Sequence, residues 1–410
     1  MIQLFQKGKL TFLILFILLI YSTGKLFGVS DSAMNYKIII LFLVLFLFFL
    51  YKTLKNRDIR FFTSSQNSKK MFFLFGFLFV FISFFRDGFL NTYIYTVLLT
   101  FIATLIYIQF LYRLPLEQAL KLFLQALFIL LIVNYYAHYI KTGSFVLSSV
   151  DRSIEKRFTG VLGGGLAGAL SGLTAILPLI IYYLSKNRNN LFLILCVILS
   201  WYAMLLADNR TSIIATTLIY MLVFFFMSKK NAAFKLVFIL IIFIVYLFFH
   251  FYFLNTVGGK SLGDDADTRF LIWSYGVKQI SINPILGSGK ENPFMNNLST
   301  KNILGDSIAD PHNSYLYFIL KNGVIISFSF FFFIFSYFVY SYKRMKNSKY
   351  LILLTIPLYW VIISYSGGDY FNFNFNFSSV VFGISVFGFL NHPDIISKRK
   401  RKGITVKNFR

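Results

Sequence analysis

The chain has 410 residues, 57% of them hydrophobic, with 54 phenylalanines and a mean hydropathy of +0.70. Soluble domains of this length do not carry repeated apolar segments of membrane-spanning length, so the composition predicts an all-α, polytopic integral membrane protein. The formal net charge of +25 would suit nucleic-acid binding in a soluble protein, but here its distribution along the chain indicates topology. We expect no nucleic-acid partner.

About twelve apolar segments follow one another, and residues 1–410 are predicted to form a single membrane domain. Several segments are shorter than the roughly 20 residues that an untilted helix needs to cross the hydrocarbon core. The first segment is predicted to be a retained anchor, because no small-x-small cleavage site follows it. The predicted spans lie near residues 9–23, 36–51, 71–85, 89–112, 116–137, 159–184, 191–207, 211–228, 234–254, 313–342, 350–366 and 370–390.

The basic residues are divided unequally between the two sets of loops. With a cytoplasmic N-terminus, the loops on that side hold 26 of the 40 Lys/Arg and 3 of the 15 Asp/Glu. The outer loops hold the other 14 Lys/Arg and 12 Asp/Glu. The positive-inside rule therefore predicts that both termini are cytoplasmic and that the long polar loop 255–312, between spans 9 and 10, is extracytoplasmic. The basic segment Lys398–Lys402 then lies in the cytoplasm beside anionic lipid.

The sixth predicted span begins with glycines at fourfold spacing, namely Gly160, Gly164, Gly168 and Gly172. This spacing places them on one helix face, where they allow close approach of a neighbouring helix. A Gly-x-Gly-x-x-Gly pattern beginning at Gly163 overlaps the run. Because no strand is expected before it, we interpret the glycines as packing positions and not as a nucleotide site.

The outer loop 255–312 is predicted to contain an amphipathic helix. Asp267 or Thr268 is the expected N-cap, and the helix is expected to reach about Ile282, before Asn-Pro and a flexible glycine-containing turn at 286–289.

The apolar run after residue 312 is too long for one span. Residues 314–342 would form about 43 Å of helix at 1.5 Å per residue. Lys321-Asn322-Gly323 interrupts the run, so residues 313–322 are predicted to be a separate helix or half-helix at the outer surface.

Three arginines and one histidine on the predicted outer side are the candidate site residues. Arg210 opens the eighth span, where a helix N-terminus adds partial positive charge. Arg269 lies in the amphipathic segment, and Arg157 precedes the glycine-rich span. His312 follows a proline and precedes an expected helix start, where an imidazole suits a general base. Considered singly, each of these side chains also fits a structural role.

The order of these motifs resembles the O-antigen polymerase/ligase superfamily of bacterial envelope glycosyltransferases. The resemblance covers roughly residues 150–345. The matching motifs are Arg157-x-x-Gly160, Asn209-Arg210-Thr211, Thr268-Arg269-x-x-x-Trp273, Asn283-Pro284-Ile285-Leu286-Gly287-Ser288-Gly289, Pro311-His312-Asn313-Ser314-Tyr315-Leu316 and Asn322-Gly323. The resemblance implies a GT-C-like transfer from an undecaprenyl-diphosphate-linked oligosaccharide, without metal or cofactor, at the outer face of the bacterial cytoplasmic (inner) membrane.

Carried over by motif, the resemblance implies that Arg210 and Arg269 bind the lipid diphosphate and that His312 activates the attacking sugar hydroxyl. Arg157 is a further candidate for the diphosphate. Its motif departs from the family pattern, which often has Asn or Pro where this chain has glycines. Planar guanidinium groups supply fixed positive charge to a diphosphate leaving group, so a metal ion is not required.

Polymerases of this superfamily join one repeat unit to the growing chain, whereas ligases attach the finished chain to lipid A-core. We favour the polymerase, because the long outer loop and the alternating Phe and Asn at 371–377 would suit an oligosaccharide acceptor. For these Phe and Asn residues alone, we favour an interfacial aromatic belt with polar partners over sugar binding. An O-antigen ligase, a capsule or Gram-positive polysaccharide polymerase, a lipid-linked oligosaccharide flippase and an inactive scaffold stay open as alternatives. The expected partners are the lipid-linked oligosaccharide, the lipid bilayer and, as a further candidate, a chain-length-regulating polysaccharide co-polymerase.

Overall fold

The structure is a computed structural model, and it describes part of the chain. The described residues are 81, 100, 103–105, 107–112, 114–143, 158, 164–185, 190–207, 209–227, 237, 240, 244, 262–289, 313–345, 348–365 and 377–395. At 164–165, 226–227, 262–269 and 377–378 it describes the backbone but not the side chains. Every regular element in this part of the chain is helical and none is a strand, which confirms the all-α prediction. Arg157, His312 and the basic segment Lys398–Lys402 lie outside the described residues.

Apart from the helix of the predicted polar loop, the described helices lie in the predicted apolar segments. In chain order they are α1 Leu116–Thr142, α2 Gly164–Leu184, α3 Leu191–Leu206, α4 Arg210–Met227, α5 Leu262–Ile280, α6 Ser314–Met345, α7 Thr355–Ser364 and α8 Phe377–Gly383. A 3-10 helix at Lys349–Leu354 leads into α7, and a π-helical turn at Ile384–Gly388 continues α8.

Within the described residues, three helices are long and apolar enough to cross a bilayer. These are Leu116–Thr142, the segment Leu166–Leu184 of α2, and Ser314–Met345. Shorter apolar helices cover Leu191–Leu206, Arg210–Phe225 and Lys349–Ser364. Each coincides with a predicted span, as expected of an integral membrane protein. The total of about twelve spans stays a prediction, because the segments near 9–23, 36–51, 71–85, 89–112 and 234–254 lie largely outside the described residues.

The helix of the predicted outer loop begins earlier than expected. Helix α5 starts at Leu262, so the N-cap predicted at Asp267 or Thr268 is wrong, since both residues lie inside the helix. The helix ends at Ile280, close to the predicted Ile282.

Helix α6 is broken at one residue. Gly323 has φ 71° and ψ 176°, so the backbone leaves the helical region there and enters one that favours glycine. This break confirms the interruption predicted at Lys321-Asn322-Gly323. It separates a half-helix, residues 314–322, from the span-length segment 324–345.

The chain folds as two compact units. The first comprises Met1–Ala126, Val324–Pro357 and Tyr370–Arg410, and the second comprises Leu127–Gly323 and Leu358–Asp369. The assignment of residues 1–410 to one membrane domain, with 255–312 as its outer loop, stays a prediction.

In the first unit, the segment after the π-helical turn caps α1. The Asp394 carboxylate accepts a hydrogen bond from the Leu116 backbone N–H at 2.8 Å. His392 is buried, with Nε2 3.0 Å from the Leu114 carbonyl oxygen, and its Nδ1 accepts from the Asp394 N–H at 3.3 Å. Burial lowers the pKa of His392, so the neutral ring that satisfies both contacts is favoured.

Candidate active site

The glycine face of α2 packs against α4 and α7 in the second unit. A Cβ added at Gly168 would lie 2.6 Å from the Asn209 Nδ2, and one added at Gly172 would overlap the Tyr359 hydroxyl and lie 2.8 Å from the Thr216 Oγ1. The hydroxyl of Tyr359 donates a hydrogen bond to the Ala169 carbonyl at 2.6 Å. Packing is therefore confirmed as the role of Gly168 and Gly172.

Asn209 connects this glycine face to Arg210. Its Oδ1 accepts a hydrogen bond from the Ser212 N–H at 3.0 Å, which is the geometry of an N-cap on α4. Arg210 is the first residue of that helix and is half-buried. The backbone position of Arg210 therefore depends on a cap that fits only because residue 168 has no side chain.

We expect Gly168→Ala to impair function more than Gly172→Ala, although both add one methyl group to the same helix face. Overpacking of this kind lowers stability by about 1–3 kcal/mol, so both variants should melt earlier than the wild type. Gly168→Ala displaces the Asn209 cap next to Arg210, whereas Gly172→Ala displaces the Tyr359 hydroxyl of the segment 350–366, so activity per folded molecule should fall further in Gly168→Ala. Thermal unfolding and transfer rates of the purified proteins check this, and equal activities for the two variants would contradict it.

The chain that follows Arg157 is fixed to the end of α3. The Phe158 N–H donates to the Leu206 carbonyl at 3.1 Å, and the fully buried Phe158 ring lies 5.0 Å from the Tyr135 ring, centroid to centroid. Leu206 lies four residues before Arg210. The segments that carry these two predicted arginines therefore meet at the end of α3.

A second group of contacts holds α5 against the half-helix of α6. Ile272 of α5 is buried together with Tyr317 and Leu320 of α6. Asn313 caps α6, because its Oδ1 accepts from the Leu316 N–H at 3.0 Å, and this confirms the helix start predicted directly after His312.

The glycine-containing turn after α5 is tied to the same half-helix. The Ser288 N–H donates to the Leu320 carbonyl at 2.9 Å, and the Gly289 N–H donates to the Lys321 carbonyl at 3.0 Å. These carbonyls belong to the last turn of the half-helix, where the helix itself offers no partner. The turn predicted to be flexible is thus hydrogen-bonded at two points. Gly323 has no room for a Cβ, which would overlap the backbone of Ile285.

Helix α7 contacts both groups, and sequence reasoning missed this role. Besides the Tyr359 bond to α2, the Val361 carbonyl accepts from the Tyr315 hydroxyl at 2.6 Å. Tyr365 lies edge-on to Trp273 of α5, with ring centroids 5.5 Å apart. From the sequence, the segment 350–366 is predicted only as an apolar span. Its tyrosines are the one signal of polar contacts, because a buried tyrosine hydroxyl usually forms a hydrogen bond.

Sequence reasoning also missed Lys321, which is 6% exposed near the end of the half-helix. Its Nζ lies 5.4 Å from the centroid of the Tyr317 ring, within the range of a cation–π contact. The available signal was a lysine inside an apolar run.

Among the residues that the structure describes, no group of three His, Cys, Asp or Glu could hold a metal ion.

The structure describes two of the four predicted site residues. Arg210 opens α4, and the backbone of Arg269 lies within α5. Arg157 and His312 are outside the described residues, so the structure shows their sequence neighbours, Phe158 and Asn313. The two groups of contacts above belong to one unit, and both touch α7.

Residues 194–331 match a family model described as O-antigen ligase. The matched segment includes Arg210, Arg269 and His312 and does not reach Arg157. No curated protein sequence matches the chain.

Proposed function

We propose that this chain, whose residues 194–331 match the O-antigen ligase family model, is an O-antigen polymerase. It transfers a glycan from undecaprenyl diphosphate onto a sugar hydroxyl of a lipid-linked repeat unit, at the outer face of the bacterial cytoplasmic membrane. The family match fits a ligase equally well. It offers no support for the flippase alternative.

The observation that carries the proposal is the packing of α5 on the half-helix of α6, inside the matched segment. Position 269 precedes Ile272 by three residues, so the helical period places both positions on one face of α5. His312 directly precedes Asn313, the cap of the half-helix that Ile272 contacts. This packing supports the assignment of Arg269 and His312 to one site, and the position of Arg210 at the start of α4 supports a cationic helix N-terminus there.

The proposed reaction is a direct displacement at the anomeric carbon of the donor. His312 takes the proton of the acceptor hydroxyl, whose oxygen forms a bond to that carbon. The bond from the carbon to the phosphate oxygen breaks, and undecaprenyl diphosphate leaves with the electron pair. Arg210 and Arg269, with Arg157 as a further cation, stabilise the charge that develops on the diphosphate, so the reaction runs without a metal ion.

The choice of acceptor separates the polymerase from the ligase. The purified protein in lipid nanodiscs would receive lipid-linked repeat units alone, lipid A-core alone, or both, and the products would be followed by mass. Lengthened lipid-linked chains from repeat units alone support the polymerase. Glycan found only on lipid A-core would overturn it in favour of the ligase.

We predict that the loop 255–312 is extracytoplasmic. A topology reporter fused after Asn190, Lys230 or Lys346 should report the cytoplasm, and one placed near Lys260 or Asn296 should report the outside. The reason is the excess of Lys and Arg in the opposite set of loops. A cytoplasmic signal from either position in 255–312 would overturn the orientation and the site built on it.

A further inference from the structure

His138 lies next to the segments that carry two of the predicted arginines. It belongs to the last turns of α1, at the predicted outer end of that span, and is 3% exposed. Its ring packs edge-on against Phe158, with centroids 5.3 Å apart. Phe158 directly follows Arg157 and is bonded to Leu206, four residues before Arg210.

One ring nitrogen of His138 lacks a hydrogen bond. Nδ1 is buried and has no hydrogen-bond partner. By contrast, each ring nitrogen of His392, which is also buried, has a hydrogen-bonding contact. A buried polar atom left without a partner is destabilising, and the cost is smaller when that atom is an acceptor nitrogen than when it is an N–H donor. Packing alone would be served as well by phenylalanine.

The missing partner indicates where the ring proton lies. A neutral imidazole has one N–H donor and one acceptor nitrogen. Because a buried N–H without an acceptor is rarer than an acceptor without a donor, we assign the proton of His138 to Nε2. His138 then presents an N–H donor, and its natural partner is an anionic oxygen.

We propose that His138 is a further donor-binding residue, whose Nε2–H donates a hydrogen bond to a phosphate oxygen of the lipid diphosphate. This inference rests on the proposed function. Phe158 holds the ring in one orientation, so little side-chain freedom is lost when the hydrogen bond forms.

Two substitutions separate binding from packing. His138→Phe keeps a ring against Phe158 without a donor, whereas His138→Gln loses the ring and keeps an amide N–H close to the position of Nε2. The matched control is Tyr136→Phe, which removes a hydroxyl from a residue that is 66% exposed in the same turn. The measurements are the dissociation constant for undecaprenyl diphosphate in nanodiscs and the KM for the lipid-linked donor.

We expect His138→Phe to weaken binding of undecaprenyl diphosphate by about ten- to a hundredfold, the usual loss for a hydrogen bond to a charged group. His138→Gln should retain most of the affinity, and Tyr136→Phe all of it. Unchanged binding by His138→Phe would overturn the inference, and so would weaker binding by His138→Gln than by His138→Phe. A wild-type protein that binds undecaprenyl diphosphate and transfers no glycan would overturn the proposed function instead, and would leave the His138 contact supported.

Discussion

Replacement of His312 by alanine is expected to lower the rate of chain elongation by about 10²–10⁴, the usual contribution of a general base. A sugar hydroxyl is a poor nucleophile until its proton is removed. His312 is the one histidine of the predicted outer loop, and it directly precedes the cap at Asn313, which fixes the start of the half-helix. The structure packs that half-helix against α5, which carries Arg269.

The same role predicts the pH dependence of the reaction. A base must be unprotonated, so activity should fall as the pH drops below the ordinary imidazole range, near 6.5. Initial rates from pH 5 to 8 measure this, with protein level and donor binding of His312→Ala as controls for folding. Near-normal chain lengths from His312→Ala would remove His312 as the base and leave the departure of the diphosphate as the main source of the rate.

Replacement of Arg210 or Arg269 by lysine is expected to lower activity about ten- to a hundredfold for each substitution. Lysine retains the positive charge but loses the planar pair of N–H donors that suits a phosphate, and one charge-assisted hydrogen bond accounts for a loss of this size. The protein should still insert in the membrane, because each side chain keeps its charge and approximate length.

The double variant tests whether the two arginines act on one group. Residues that bind the same diphosphate are coupled, so the two losses should not add when both arginines are replaced. Steady-state rates of both single variants and the double variant give the coupling free energy. Full activity in Arg210→Lys, Arg269→Lys would assign both residues to structural roles.

Hydropathy alone placed the described helices well, because an apolar run of span length has few other structures open to it. Predicted spans 191–207 and 211–228 became α3 and α4 within one residue at each end. The start of α5 was placed wrongly, since Asp267 and Thr268 are good capping residues that also tolerate a position inside a helix. The break at Gly323 was predictable because the apolar run was too long for one span.

Contacts between distant residues were not predictable in this way. The fourfold glycine spacing indicated a close neighbour for α2, but did not identify Asn209, the residue that caps the helix of Arg210. The sequence of α7 likewise does not indicate that this helix contacts both groups. The unpartnered Nδ1 of His138 depends on the packing around Phe158, so no local pattern indicates it.

The most direct test of the central claim is the product of the wild-type protein acting on lipid-linked repeat units as the sole sugar substrate, in nanodiscs and with a metal chelator present. We predict a series of lipid-linked products that differ in mass by one repeat unit, and one undecaprenyl diphosphate released for each unit joined. A substrate that stays at one repeat unit, with no undecaprenyl diphosphate released, would contradict the assignment of this chain as a polymerase.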